Sequence, residues 1–364
     1  MKHLFLILLL LCPTLARAMP AEAALSYETR QWHLAGGDGE AELRQNLIPF
    51  WIHLLPHPTL ETWINSSYSS SSLSKRADGD LSGLSSVRFE CDWQPGPEGL
   101  HLFGGLDTPM DSPALTAEEN LLATLLAEPV LRWDVPVYGK GLELRLGTIY
   151  GYALPVGAVT AGLLMTRRGA YASGFHGDFE PVSDIRFAGG FQMRTGDADL
   201  RTDLSWTTGG HVRLNNRTIL TTKGRLDLSV RGESPWRRNR IYGGLGMRAY
   251  AAAESEPLPG GLLPIEAGNL WVLNLGLLRD FNTWLGRVDL DLVSSPDAPT
   301  GRNGGYSWAL SLEWVRRFNA TTALSLECEP TWGTLDNGGK LTGLRMGITL
   351  FFRPGGAPGT GWGG

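Results

Sequence analysis

Residues 84–93 read Leu-Ser-Ser-Val-Arg-Phe-Glu-Cys-Asp-Trp. Val87, Phe89, Cys91 and Trp93 alternate with Arg88, Glu90 and Asp92, and Ser85 and Ser86 extend the two sets backwards. Successive side chains of an extended strand point to opposite faces, so this stretch has one apolar face and one ionic face.

The beat recurs almost to the end of the chain. Leu200, Thr202, Leu204 and Trp206 oppose Asp199, Arg201, Asp203 and Ser205. Leu226, Leu228 and Val230 oppose Lys223, Arg225, Asp227 and Arg231, and Val288, Leu290 and Leu292 oppose Arg287, Asp289 and Asp291. Leu324, Leu326 and Cys328 oppose Ser325, Glu327 and Glu329, and the last run sets Leu344, Met346, Ile348, Leu350 and Phe352 on one face. Strands are predicted at 24–35, 41–54, 59–70, 84–93, 99–106, 142–153, 156–167, 184–194, 198–208, 219–231, 240–252, 269–279, 283–294, 305–316, 320–331 and 341–352.

That is about sixteen strands, an even number, with about fourteen as the alternative if the weak first strand is dropped. Short turns at 56–58, 94–98, 154–155, 195–197, 280–282 and 317–319 alternate with longer loops at 71–83, 107–141, 168–183, 209–218, 253–268, 295–304 and 332–340. Short and long connections in alternation, with dyad strands of about ten residues, describe a transmembrane antiparallel β-barrel with long external loops and both termini on the periplasmic side. The mean hydropathy of -0.10 fits, because alternation averages out.

The N-terminus agrees. Lys2 and His3 precede an apolar run from Leu4 to Cys12, and Ala16-Arg17-Ala18 follows. This is the pattern of a cleaved secretory signal peptide over 1–18, and the run is too short to span a bilayer as a helix. The barrel is assigned to 19–352, and 353–364 is a Gly/Pro-rich tail expected to be disordered. The expected location is the bacterial outer membrane. The expected partners are its lipid bilayer and the barrel insertion machinery; a net charge of -5 gives no nucleic-acid footprint.

One segment breaks the β pattern. Thr116-Ala117-Glu118-Glu119 is a capping box, Leu121, Leu122, Leu125 and Leu126 follow at helical spacing, and Pro129 ends the run. A short amphipathic helix inside the longest loop is expected, against the barrel rim or interior or as an outer lid. Trp271, Tyr306, Trp308, Trp314, Phe318, Phe351 and Phe352 fall near strand ends, where aromatic girdles are expected.

Catalytic signatures are missing: there is no H-E-x-x-H, G-x-S-x-G or P-loop, and His33, His53, His57, His101, His176 and His211 are dispersed. His53 and His57 share an i, i+4 spacing, but Pro56 and Pro58 forbid the helix that would align them. No enzyme activity, metal or cofactor is expected. Cys91 and Cys328 remain after the signal segment, read as two small apolar side chains.

The informative set is the polar face. Arg88, Glu90, Asp92, Glu143, Arg145, Arg186, Arg194, Arg201, Asp203, Lys223, Arg225, Asp227, Arg248, Arg287, Asp289, Asp291, Glu313, Glu327, Glu329 and Arg345 are the pore-lining candidates, with Glu61 and Asn65 of the same face. An Arg or Lys turned to lipid at mid-membrane costs about 2–4 kcal/mol, so the phase of the pattern turns them inward. A barrel of about 16 strands can hold an aqueous channel. The mixed signs argue against a strong ion preference. The expected function is passive passage of small solutes. The alternative is a barrel that transports nothing: an adhesin, a scaffold or a lipid-modifying enzyme.

Four glycine-rich stretches add a resemblance: Ser82-Gly83-Leu84, Gly104-Gly105-Leu106-Asp107-Thr108-Pro109, Tyr138-Gly139-Lys140-Gly141 and Gly169-Ala170-Tyr171. Over residues 40–200 the chain is similar to Gram-negative outer-membrane β-barrel proteins of the phenol-degradation (MetA-pathway) transporter type. The resemblance implies a membrane barrel and small-molecule passage, and carries over no catalytic residue. The chain departs from the usual pattern at its end, where Phe352 is followed by the tail rather than closing the sequence.

Overall fold

In the computed structural model, the described residues are 21–36, 39–75, 79–96, 99–109, 119, 122, 141–173, 177–251, 254–255, 268–281, 283–295, 304–336 and 338–353. The signal segment 1–18, the tail beyond Arg353 and most of the expected loop helix lie outside them. Of that helix, Glu119 and Leu122 are described; both are helical, and Leu122 is fully buried.

The strands are β1 (Ala21–Gly36), β2 (Gly39–His57), β3 (Leu60–Ser74), β4 (Gly79–Leu84), β5 (Val87–Trp93), β6 (Leu100–Thr108), β7 (Glu143–Leu154) and β8 (Gly157–Arg168). Next come β9 (Tyr171–Ser173), β10 (Gly177–Glu180), β11 (Asp184–Thr195), β12 (Ala198–Leu214), β13 (Arg217–Trp236), β14 (Asn239–Tyr250) and β15 (Glu254–Ser255). The chain finishes with β16 (Gly268–Asp280), β17 (Trp284–Ser295), β18 (Gly305–Arg317), β19 (Thr322–Leu335) and β20 (Lys340–Phe352). β4 and β5 are two halves of one stave, and β9, β10 and β15 are short appendages. What remains is a closed antiparallel barrel of sixteen staves.

Closure rests on the first strand, the weakest element of the sequence pattern. β1 pairs with β2 from Ala21↔Leu54 to Gly36↔Gly39 and with β20 from Ala23↔Phe352 to Ala35↔Lys340. The ladder therefore has no open edge, as a bilayer requires, because an unpaired backbone group in hydrocarbon costs several kcal/mol. Both described chain ends lie at one mouth. There Arg353 donates its backbone N–H to the Thr321 carbonyl at 2.7 Å and ion-pairs with Glu22 at 2.5 Å, so the first residue assigned to the tail belongs to the barrel rim.

Alternation sorts the side chains as the sequence implies. Leu200, Leu204, Leu275, Leu290, Leu326, Met346, Ile348 and Leu350 are exposed on the outside. Trp271, Tyr306, Trp308, Trp314, Phe318 and Phe352 are exposed outward as well. Arg316 lies over the Trp284 and Phe318 rings at 5.1 and 5.4 Å, and Arg279 over Phe281 at 4.8 Å. Those arginines have the outward parity but sit at strand ends, where long cationic side chains reach the headgroup level. Both Cys91 and Cys328 are free thiols on the outward-facing parity.

Three expectations need correction. Phe351 is not a girdle residue: it is one position out of phase with Phe352 and packs inward against Leu285, Val315 and Ala323. The stretches 71–83, 209–218 and 332–340 are mostly hairpin rather than loop, because β3, β4, β12, β13, β19 and β20 run on past the apolar belt. Beyond the belt both faces of a strand can be polar, so alternation fades while pairing persists. The Asn215-Asn216 turn, with φ of 49° and 64°, shows the left-handed pair that a tight hairpin needs.

Finally, Ser85 does not continue the face of Val87. Tyr68 pairs with Leu84 but Asn65 with Arg88, a one-residue slip across the β4–β5 break. Ser85 fills the bulge, its hydroxyl accepting from Ser67 N–H at 2.9 Å.

Candidate functional site

Direct cross-strand partners share a face, so the register tracks the inner wall around the barrel. Arg88 is partnered by Asn65 and Asp107, Glu90 by Trp63 and Gly105, and Asp92 by Glu61 and Phe103. Glu143 and Arg145 follow on β7, then Arg186 and Arg194 on β11. Next are Arg201 and Asp203 on β12, Arg225 and Asp227 on β13, and Arg248 on β14. Arg287, Asp289, Asp291, Glu313, Glu327, Glu329 and Arg345 complete the circuit on β17 to β20. All have the phase opposite to the exposed apolar belt. Lys223 lies on β13 just before Gly224, whose φ is 116°, and has the same parity as Arg225.

The structure gathers these residues into clusters. The first climbs β5 to β11. Arg145 bridges Glu90 at 2.9 Å and Glu143 at 3.3 Å, and Arg168 bridges Glu143 at 2.9 Å and Asp184 at 2.6 Å. Beside it Arg88 holds Asp107 at 3.3 Å, and His101 holds Asp92 at 3.1 Å. The second cluster pairs Asp227 with Arg225 at 2.9 Å and Arg248 at 2.5 Å. Arg201 pairs with Asp203 at 2.9 Å, and Arg194 with Asp199 at 3.7 Å. The third holds Asp289 between Arg287, at 2.5 Å, and the Tyr242 hydroxyl. The fourth sets Arg345 on Glu327 and Glu329, next to Arg30 on Glu28 at 2.8 Å.

Four candidates take polar partners of other kinds. Ser325 donates to Glu313 at 2.7 Å, and Asn274 donates to Asp291 at 2.5 Å. Asp92 has its histidine, and the Arg186 Nε donates to Ser205 Oγ at 2.9 Å.

Several inner-wall residues escaped the sequence reading. Asp107, Arg168 and Asp184 sit where strands meet long loops, so loop boundaries hid them. Glu28 and Arg30 lie on the weakly patterned first strand. Apolar side chains also face inward: Phe103, Ile149 and Leu164 share the inner parity of Asp92, Arg145 and Arg186. Counting by twos from Asp107 to Phe103 would have found the first.

The open part of the lumen is a cavity of about 1680 Å³. It runs mainly along β6 to β18, past Phe103, Arg186, Arg201, Asp227, Tyr242 and Arg287, and reaches Glu22, Trp51 and Phe351 at one end. The opposite wall is filled: Trp32, Leu43, Gln45, Leu47, Ser69, Ser71, Leu73 and Leu341 all have inward parity and are buried. Gln45 donates to Ser71 at 2.9 Å there. Among the described residues no three His, Cys, Asp or Glu side chains are placed to hold a metal ion. His53 stacks flat on Trp63 and approaches Glu61 at 3.4 Å, and His57 contacts Thr59 at 2.9 Å, so the two histidines do not converge.

No protein-family model and no curated relative matches the chain. Solved outer-membrane barrels resemble it in outline. OccK11 (OpdR) of Pseudomonas aeruginosa is 14% identical with a TM-score of 0.47, covering 92% of this chain and 96% of its own. A bacterial polysaccharide outer-membrane secretin is 8% identical with a TM-score of 0.49, covering 91% and 98%. An anion-selective porin from Comamonas acidovorans is 11% identical with a TM-score of 0.44, covering 92% and 100%. Likeness of that order passes no property of those proteins to this chain.

Proposed function

We propose that the chain is an outer-membrane channel for passive passage of small solutes, exported by its N-terminal signal segment. One observation carries the reading: a cavity of about 1680 Å³, bordered by ionic as well as apolar side chains, runs inside a closed barrel whose outer surface is apolar. The apolar belt needs acyl chains to cover it, and the ionic inner wall needs water. The pore-lining set is then the ionic inner face, with Arg186, Arg201, Asp203, Asp227, Arg248 and Arg287 bordering the open cavity. The glycine-rich stretches favour a small-molecule transporter of the phenol-degradation type, as the finer form of the same proposal.

The rival reading, a barrel that transports nothing, draws on the filled wall around Leu43 and Gln45. Purified protein in a planar bilayer decides between them. Stepwise ion conductance is expected. Silent bilayers, with protein that still shifts on a gel between boiled and unboiled samples, would select the rival.

A further inference from the structure

Phe103, Gly147, Leu164 and Arg186 lie in one cross-strand row over β6, β7, β8 and β11. All have the inner parity, and Phe103, Leu164 and Arg186 border the cavity together with Ile149. Adjacent strands are about 4.8 Å apart, so the row spans about 14 Å. Gly147 is what makes it a shelf. The Phe103 ring lies across it, and a methyl group there would fall 2.2 Å from Phe103 Cζ. An apolar surface therefore faces the lumen, where ionic side chains are the rule.

Arg186 closes the shelf. Its Nε is used by Ser205, and among the described residues no carboxylate lies within ion-pair distance of its guanidinium. The nearby acid at Asp184 is held by Arg168. Most other inner-wall arginines have a carboxylate. An arginine beside exposed hydrocarbon, with two Nη groups still to donate, presents a planar fork suited to a carboxylate.

We infer that this shelf is a binding station for a small amphiphilic monoanion, a carboxylate joined to an apolar ring or chain. The hydrocarbon part would lie on Phe103, Ile149 and Leu164, and the carboxylate would take the Arg186 fork. The inference rests on the channel reading for its role in passage, but the site itself can be tested without it.

Benzoate is the probe, with acetate and benzyl alcohol as controls that each keep one half of the chemistry. Calorimetry on the detergent-folded barrel should show benzoate binding at least about 10-fold tighter than either control. Arg186→Gln should weaken benzoate about 10-fold and leave benzyl alcohol unchanged. Leu164→Asn should weaken benzoate and leave acetate unchanged. Heat-shifted gel migration confirms that each variant is folded. Equal binding of benzoate and acetate, or of benzoate to wild type and Arg186→Gln, would overturn the proposal. In bilayers, benzoate should reduce the single-channel current at concentrations where acetate does not. Silent bilayers with intact benzoate binding would remove the channel and keep the station; conducting bilayers without benzoate binding would do the reverse.

Discussion

The wall formed by β1 to β3 and the wall formed by β11 to β14 obey the same alternation, yet they are different environments. On the first, Arg30 and Gln45 are 3% and 0% exposed and sit among Leu43, Leu73 and Leu341. On the second, the side chains of Arg201 and Arg248 are 62% and 40% exposed and border the cavity. Alternation decides which way a side chain points. Whether it then meets water depends on what else lies inside the cylinder.

The sharpest test sets outside against inside at adjacent positions. Leu275→Arg turns a cation into the acyl chains and should cost about 2–4 kcal/mol in urea unfolding from lipid vesicles. Asn274→Arg, one residue away, faces Asp291 and should change stability by less than about 1 kcal/mol. Equal losses would mean that the outer belt does not face lipid.

A second test compares the two inner walls. Arg30→Met leaves the part-buried Glu28 without its ion-pair partner, with Arg345 as the remaining nearby cation, and should cost about 2 kcal/mol. Arg201→Met removes an exposed pair and should cost less than about 1 kcal/mol. If the two losses match, the walls are equally wet.

The smallest effect is expected at Gln45→Leu, which leaves Ser71 without its donor at 2.9 Å. A loss of about 0.5 kcal/mol is expected, because the orphaned Ser71 hydroxyl is largely offset by added hydrocarbon and by removal of the buried, unbonded Gln45 Oε1. A gain in stability would show that the Gln45–Ser71 contact contributes nothing.

Much of the fold was legible because period two is a local property. Val87 to Trp93 declare both faces within seven residues, and the longer runs after Asp199 do the same. Legibility failed where the local signal stops. Ser85 sits in a bulge, and alternation cannot announce the slip of one residue. Phe351 and Phe352 are adjacent aromatics, and alternation already puts only Phe352 on the face of Leu350; reading both as girdle residues from their place at the strand end overrode it. The extension of β12 opens on Gly209-Gly210 and runs into Asn215-Asn216, so this short stretch read as loop. Among the site residues, most ionic ones were found by their charge, while Asp107, Arg168 and Asp184 were lost at loop boundaries and Glu28 and Arg30 on the weakly patterned first strand. Phe103 and Leu164 were missed, because an apolar residue on the inner face looks like any other apolar residue until its strand is counted.

The sequence by itself determined that the chain alternates, that its charges share a face, and therefore that a cylinder with an apolar outside is the economical solution. The tertiary structure decided which charges neutralise one another, which wall of the lumen is filled, and that Arg186 stands beside hydrocarbon with no carboxylate partner among the described residues. The reason is range. The facing of a side chain is set by its own backbone, whereas pairing and wetness are set by groups scores of residues away that meet only when β1 closes on β20.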